Sequence, residues 1–136
     1  MFMLDTNICI YLINERDETL RERFEANAGG ICISSITYAE LCYGVTHSAR
    51  VAQNARELDA FQLDLDILPF DRDAGKHYGE IRHALVKRGR PIGANDLLIA
   101  SHARSADATL VTNNTGEFGR VPGLRVENWM QADDTA

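Results

Sequence analysis

Cysteine, proline, basic residues and long apolar runs are all in short supply in this 136-residue chain. The three cysteines, Cys9, Cys32 and Cys42, are odd in number and widely spaced, which fits neither a disulfide framework nor a Cys-x-x-Cys zinc site. Each lies in an apolar stretch, so reduced, buried small hydrophobes are expected, and with them a cytoplasmic setting. No apolar run nears the roughly 18 residues of a membrane span. The opening Met1-Phe2-Met3-Leu4-Asp5 lacks the basic start of a signal peptide. Three prolines leave no Pro-rich linker. Lys and Arg number 14 against 20 Asp and Glu, a net charge of -6, which argues against tight nonspecific binding of duplex DNA by the chain alone. Nucleic acid as a substrate is not excluded, because a site that gathers carboxylates meets phosphates through metal ions.

With 45% apolar and 25% charged residues, the chain has the composition of one globular domain. Short apolar runs alternate with longer helical patterns. Strands are expected at Phe2-Met3-Leu4, Ile31-Cys32-Ile33, Ile67-Leu68, Thr109-Leu110-Val111-Thr112 and Leu124-Arg125-Val126, the last at an edge. Between them helices are expected over 7–13, 18–26, 35–43, 48–63, 71–88 and 95–104. In the fourth, Val51, Ala55, Leu58 and Phe61 share a stripe. The sixth is apolar nearly all round, which predicts a central, buried helix. The expected fold class is α/β, a three-layer α/β/α sandwich on a mostly parallel sheet of about four or five strands. One domain is expected over 1–132, with a flexible tail over 133–136.

Three acids break the usual placement of charge on solvated faces. Asp5 ends an apolar strand, where open α/β sheets gather their ligands. Glu40 sits in the nearly uncharged run Ile36-Thr37-Tyr38-Ala39-Glu40-Leu41-Cys42-Tyr43. Asp96 opens the most apolar helix. Taken singly, Asp5 and Asp96 are also good helix caps, and Glu40 is open to a buried salt bridge with Arg82. Taken together, they form a set of carboxylates that repel unless a cation neutralises them. Oxygen-only donors select hard Mg²⁺ or Mn²⁺.

Four blocks carry these acids in order: Met3-Leu4-Asp5-Thr6-Asn7, then 33–41, then Ile92-Gly93-Ala94-Asn95-Asp96-Leu97-Leu98-Ile99-Ala100, then 110–118. This arrangement resembles the PIN-domain ribonucleases, and more narrowly the VapC toxins of VapBC toxin–antitoxin modules. The likeness runs from Met3 to about Trp129. It implies a Mg²⁺- or Mn²⁺-dependent endoribonuclease with Asp5, Glu40 and Asp96 as metal ligands. The family's fourth acidic position falls on Asn114. Its amide oxygen can coordinate but brings no charge, so the resemblance leaves open whether a second cation binds. The same asparagine occurs in the subgroup with Thr112-Asn113-Asn114 followed by Glu117-Phe118, so Asn114 is kept among the catalytic candidates. The resemblance further implies a homodimer, a tight complex with a VapB-type antitoxin that inserts a basic side chain among the carboxylates, and contact with DNA only through that antitoxin. Initiator tRNA, cut in its anticodon stem-loop, is the leading substrate it suggests.

Several residues keep two readings. Thr6 and Asn7 orient a ligand carboxylate or a water, or else cap a helix; Thr37 lies one turn before Glu40, where it could support it, and Thr112 ends a strand. Glu117 is an outer acid of the site or, the better expectation, an exposed surface carboxylate. The four histidines lack ligand spacing and are expected in the core or on the surface. The stretch from Arg72 to Arg90, with Arg82, Arg88 and Arg90, is either a solvated helix face or an RNA contact. No run interleaves exposed aromatics with basic residues, as a stacking platform for unpaired bases requires. A haloacid-type phosphatase needs an acid where Asn7 stands, and a phosphorelay receiver needs its acceptor aspartate later in the chain. The remaining alternative is a PIN-fold module that binds RNA or a partner with weakened catalysis.

Overall fold

The computed structural model describes residues 1–130. The expected tail at 133–136 and the expected domain end at 132 lie outside the described residues. The elements run β1 (Phe2–Leu4), α1 (Thr6–Ile13), α2 (Glu18–Ala26), β2 (Ile31–Ser34), α3 (Ser35–Thr46), α4 (Val51–Gln62), β3 (Asp66–Leu68), α5 (Arg72–Lys87), α6 (Ala94–Ser105), β4 (Thr109–Val111), α7 (Thr115–Phe118) and β5 (Val126–Glu127). The five strands lie in the order β3-β2-β1-β4-β5, and every neighbouring pair is parallel. The first strand is therefore central, flanked by strands reached through separate crossovers, so a crevice opens at its carboxyl end.

Successive strand residues point to opposite faces, and the two faces build two cores. Met3, Cys32 and Leu110 pack with Ile81 and Leu85 of α5, Ile99 and Ala103 of α6, and Phe118 of α7. Leu4, Ile33 and Val111 pack with Ile8 and Leu12 of α1, Leu20 of α2, Leu41 of α3 and Leu58 of α4. This is the expected three-layer sandwich. The sixth helix is as buried as its composition predicts, with Leu97, Ile99, Ala100, Ser101, His102 and Ala103 all inside. Among the described residues, no helix is long and apolar enough to cross a membrane.

Three local expectations change. Helix α4 begins at Val51, whose side chain is exposed, so the buried stripe is carried by Leu58 with Ala55 and Phe61 partly covered. Cys9 and Cys32 are buried free thiols, whereas Cys42 is only half-buried. Burial pushes the Cys9 thiol well above its ordinary range and that of Cys32 to about 11. The edge strand lies at Val126–Glu127, later than expected, because Val126 and Glu127 take the register opposite Leu110 and Val111.

Two glycines shape the turns that lead to the site. Gly89 has φ +67, which lets α5 close with Gly89 N–H donating to Val86 C=O and Arg90 N–H to Leu85 C=O. Gly119 ends α7, and a Cβ there would stand 2.6 Å from the Thr115 carbonyl oxygen. Gly119→Ala is therefore expected to cost about 1–3 kcal/mol, measured as a lower urea midpoint. An unchanged midpoint would show that α7 shifts freely.

Candidate active site

Asp5 follows β1 and caps α1. Its Oδ1 accepts the Ile8 N–H at 2.9 Å, so the capping reading is realised. The side chain is only 5% exposed and also takes a hydrogen bond from Thr112. Burial holds its carboxyl above the usual range against the Thr112, Ile8 and Asn7 hydrogen bonds, and the charge of Glu40 adds to the rise. Capping and participation in the acidic site are thus the same placement.

Glu40 projects from α3 and is half-buried. Its Oε1 accepts the Thr6 hydroxyl at 2.6 Å and its Oε2 accepts the Asn95 amide at 3.1 Å. Thr37 Oγ1 lies 3.4 Å from Thr6 Oγ1 and is fully buried. The suggested salt bridge to Arg82 does not form, because Arg82 is turned to the Tyr78 hydroxyl at 2.9 Å.

Asp96 lies in the first turn of α6, but Gly93 occupies the cap position without a side-chain bond, so Asp96 is not the cap of its helix. It hydrogen-bonds to Glu117 instead. Burial, that hydrogen bond, and the charges of Glu117, Asp5 and Glu40 push its pKa up to about 7. Glu117 Oε1 accepts the Gly93 N–H at 3.1 Å and Oε2 the Asn114 amide at 3.0 Å. Burial works to raise the Glu117 pKa, but the Gly93, Asn114 and Asp96 hydrogen bonds and the Arg120 charge outweigh it, and the net shift is downward. Asp96 thus holds the proton that the two carboxyls share.

Glu117 is therefore not the isolated surface carboxylate that the sequence favoured. Helix α7 swings it over the Gly93 turn and against Asp96. Asn114 caps α7, its Oδ1 accepting the Glu117 N–H at 3.4 Å. Asn114 N–H in turn donates to Thr112 Oγ1 at 2.9 Å. Asn7 is exposed and lines, with Asp5, Tyr11, Asn113 and Asn114, a cleft of about 330 Å³. The structure thus draws Asp5, Thr6, Asn7, Thr37, Glu40, Asp96, Thr112 and Asn114 to one end of the sheet. Arg82, Arg88 and Arg90 stay outside this hydrogen-bonded set, exposed on α5 and the turn after it.

The donor set suits a hard divalent cation. Asp5, Glu40, Asp96 and Glu117 offer only oxygens, and the four ion pairs among the described residues involve none of them. As the side chains stand, no three His, Cys, Asp or Glu among the described residues are arranged to hold an ion. Glu40 is held by Thr6 and Asn95, while Asp96 and Glu117 hold each other.

The raised Asp96 pKa has a consequence for the metal-free protein. A carboxyl that titrates near 7 folded and at 3.8 unfolded binds more proton in the folded state between those values. The contribution of Asp96 to stability in EDTA is therefore greatest at the acid end of this window and falls as pH rises toward 7. Asp96→Asn should flatten that dependence in thermal melts. An equal slope in variant and wild type would move the cause elsewhere.

A parallel α/β domain that collects unpaired carboxylates at the ends of its strands has the architecture of a cation-dependent phosphodiester-cleaving domain. The family model for the PIN domain matches residues 2–124. A relative from Shigella flexneri, the tRNA(fMet)-specific endonuclease VapC, is 48% identical over 94% of this chain and 97% of its own length. Ribonuclease VapC2 of Rickettsia felis is 49% identical over 95% and 98%. The crystal structure of DNA-bound VapBC from Salmonella typhimurium superposes with a TM-score of 0.91 at 45% identity, covering 94% of this chain and 97% of that one. The chain belongs to the PIN-domain family and, within it, to the VapC ribonucleases.

Proposed function

We propose that this chain is the toxin of a toxin–antitoxin pair and cuts initiator tRNA in its anticodon stem-loop, in the cytoplasm, using Mg²⁺ with Mn²⁺ able to replace it. The observation that carries the reading is the gathering of Asp5, Glu40, Asp96 and Glu117, oxygen donors only, at the carboxyl end of the central strand. Carboxylates crowded to that degree are poised to exchange a proton for a cation. Asp5, Glu40 and Asp96 are the proposed ligands. A hard cation held by these three would offset negative charge on the phosphodiester and make water more acidic. The protein's own groups prepare the site. Thr112 and the Ile8 N–H fix the Asp5 carboxylate, Thr6 and Asn95 fix Glu40, and Asn114 with Gly93 fixes Glu117. Asn7 stands at the mouth of the cleft, where it can meet the RNA backbone. Glu117, one turn after Asn114, supplies the negative charge that Asn114 lacks, which favours an active enzyme over a weakened binding module.

The tRNA assignment rests on the Shigella flexneri relative, whose name specifies tRNA(fMet). The antitoxin assignment rests on the Salmonella typhimurium VapBC structure, which is bound to DNA. By that likeness this chain pairs with a VapB-type partner, and we propose with it a homodimer that reaches DNA only through that partner. A guanidinium of the partner suits the acidic pocket, since it pairs two carboxylates and takes the cation's place. Arg82, Arg88 and Arg90 are proposed to contact the RNA, Arg88 and Arg90 at its phosphates.

The test is incubation with total tRNA and Mg²⁺, followed by mapping of the new 5′ ends. One cut in the initiator tRNA anticodon stem-loop is expected, with a 5′-phosphate and a 3′-hydroxyl. EDTA should abolish it and Mn²⁺ restore it. Cleavage confined to ribosomal or messenger RNA would remove the tRNA assignment, and cleavage in EDTA would remove the cation.

A further inference from the structure

On the face where α5 packs against α6 lies another concavity of about 230 Å³. Tyr78 and Arg82 form one wall, one helical turn apart on α5. Pro91, Ala94 and Leu97 form the other wall, and Val86, 61% exposed, stands at its edge. Ala94 and Leu97 of its lining lie within two positions of Asp96, so the slot and that acid share the first turn of α6. The Arg82 guanidinium carbon sits 5.9 Å from the centre of the Tyr78 ring, and Arg82 Nη1 donates to the Tyr78 hydroxyl at 2.9 Å. That pairing holds a π-face and a planar cation together at the rim.

From position 82 to 90 the exposed charge is of one sign. Arg82, Lys87, Arg88 and Arg90 are all exposed here, and none is in an ion pair among the described residues. Glu80, the nearby acid on α5, is taken up by Arg104 at 2.6 Å. The Gly89 turn, with its positive φ, sends Arg88 and Arg90 out from the end of α5. In a chain of net charge -6, this concentration of cations around an apolar slot marks a polyanion with an apolar, flat part. An unpaired nucleobase on a phosphate backbone has that chemistry: it stacks on aromatic and guanidinium planes while its phosphates meet Lys and Arg.

We infer that the Tyr78–Arg82 slot receives one unpaired nucleobase of the RNA and so helps choose which phosphodiester reaches the acidic cleft. The inference rests on the ribonuclease reading, and it supplies a base-stacking element that no run of aromatics in the sequence announces. Stacking is tolerant of base identity, so the slot selects an unstacked nucleotide at a fixed distance from the cut rather than a particular base.

The test separates binding from cleavage. Fluorescence anisotropy in EDTA measures affinity for a stem-loop RNA with no cutting, and for the same RNA carrying an abasic nucleotide at each loop position in turn. Arg82→Ala and Val86→Trp, both at exposed positions, and Tyr78→Ala are each expected to weaken binding roughly tenfold or more, with Tyr78→Phe close to wild type. One abasic position should reproduce the loss in the wild type and abolish the further effect of Arg82→Ala. Tyr78 is half-buried, so the two exposed variants decide the matter if Tyr78→Ala does not fold. Unchanged affinity in both exposed variants would overturn the slot, even if the wild type cuts RNA. Reduced affinity in them would support it, even if the wild type cuts nothing and the nuclease reading falls. If light scattering shows that Arg82→Ala or Val86→Trp dissociates a dimer while RNA affinity per chain is kept, the slot is a contact between copies and the inference is wrong.

Discussion

Asp96→Asn should lower kcat/KM on the RNA substrate by roughly a thousandfold and leave the metal-free fold intact. The size follows from what a hard cation supplies at a phosphodiester, several kcal/mol of charge stabilisation, with each 1.36 kcal/mol worth tenfold in rate. The retained fold follows from the hydrogen bonds. In the metal-free protein Asp96 carries the proton it shares with Glu117, its pKa standing near 7. An amide has the same shape and offers an N–H where the carboxyl offers its O–H, so the bond to Glu117 survives while the ligand charge is gone. Like-charge repulsion from Asp5 and Glu40 is also relieved, so the thermal midpoint in EDTA at neutral pH should equal or exceed that of the wild type. Asp5→Asn makes a parallel case. Asparagine caps helices about as well as aspartate, so the Ile8 N–H keeps its acceptor and only the charge is lost. Activity within tenfold of wild type in either variant would remove that residue from the ligand set, and a collapsed midpoint would show that the charge itself holds the fold.

These acids were legible because each violates a local pattern: an acid ending an apolar strand, an acid inside an uncharged helix, an acid opening an apolar helix. The layers were legible for the same kind of reason, since strand runs and helical stripes recur along the chain. Glu117 was hidden because nothing around it departs from an ordinary polar turn. Four-residue α7 is too short for any periodicity, and only the Gly93 turn, 24 positions earlier, shows what Glu117 faces. The Tyr78–Arg82 pair was hidden differently. Its spacing fits a buried stripe equally well, and Tyr78 does pack against the core while its hydroxyl reaches the slot. Two-residue β5 has almost no sequence signature either, and its place is set by pairing with β4. Local departures from pattern are visible in one dimension; partners brought by crossovers are not.

The four histidines, scattered in sequence, include one whose removal should cost the fold heavily. His102 on α6 is 3% exposed, and Ser34, which ends β2 and caps α3, is fully buried. His102 Nδ1 and Ser34 Oγ lie 2.7 Å apart. Ser34 Oγ also accepts the Ile36 N–H at 3.1 Å, so the imidazole is a second partner of the same buried hydroxyl. The bond ties the start of the helix bearing Glu40 to the last turn of the helix bearing Asp96. In His102→Leu the buried Ser34 hydroxyl loses its imidazole partner, which costs about 1–3 kcal/mol. Ser34→Ala alone loses a cap, about 1 kcal/mol. In the double variant the hydroxyl and its missing partner vanish together, so the loss should be smaller than the sum by at least about 1 kcal/mol. The pH dependence has a definite sign. Burial depresses the His102 pKa below 6.5, with Asp71 partly opposing. The folded state therefore resists a proton that the unfolded state accepts, and stability is lost as pH falls below 6.5. The acid-side slope in urea titrations should be shallower in His102→Leu than in wild type. Strictly additive losses in the double variant, together with an unchanged acid-side slope, would reduce His102 to a space-filling ring.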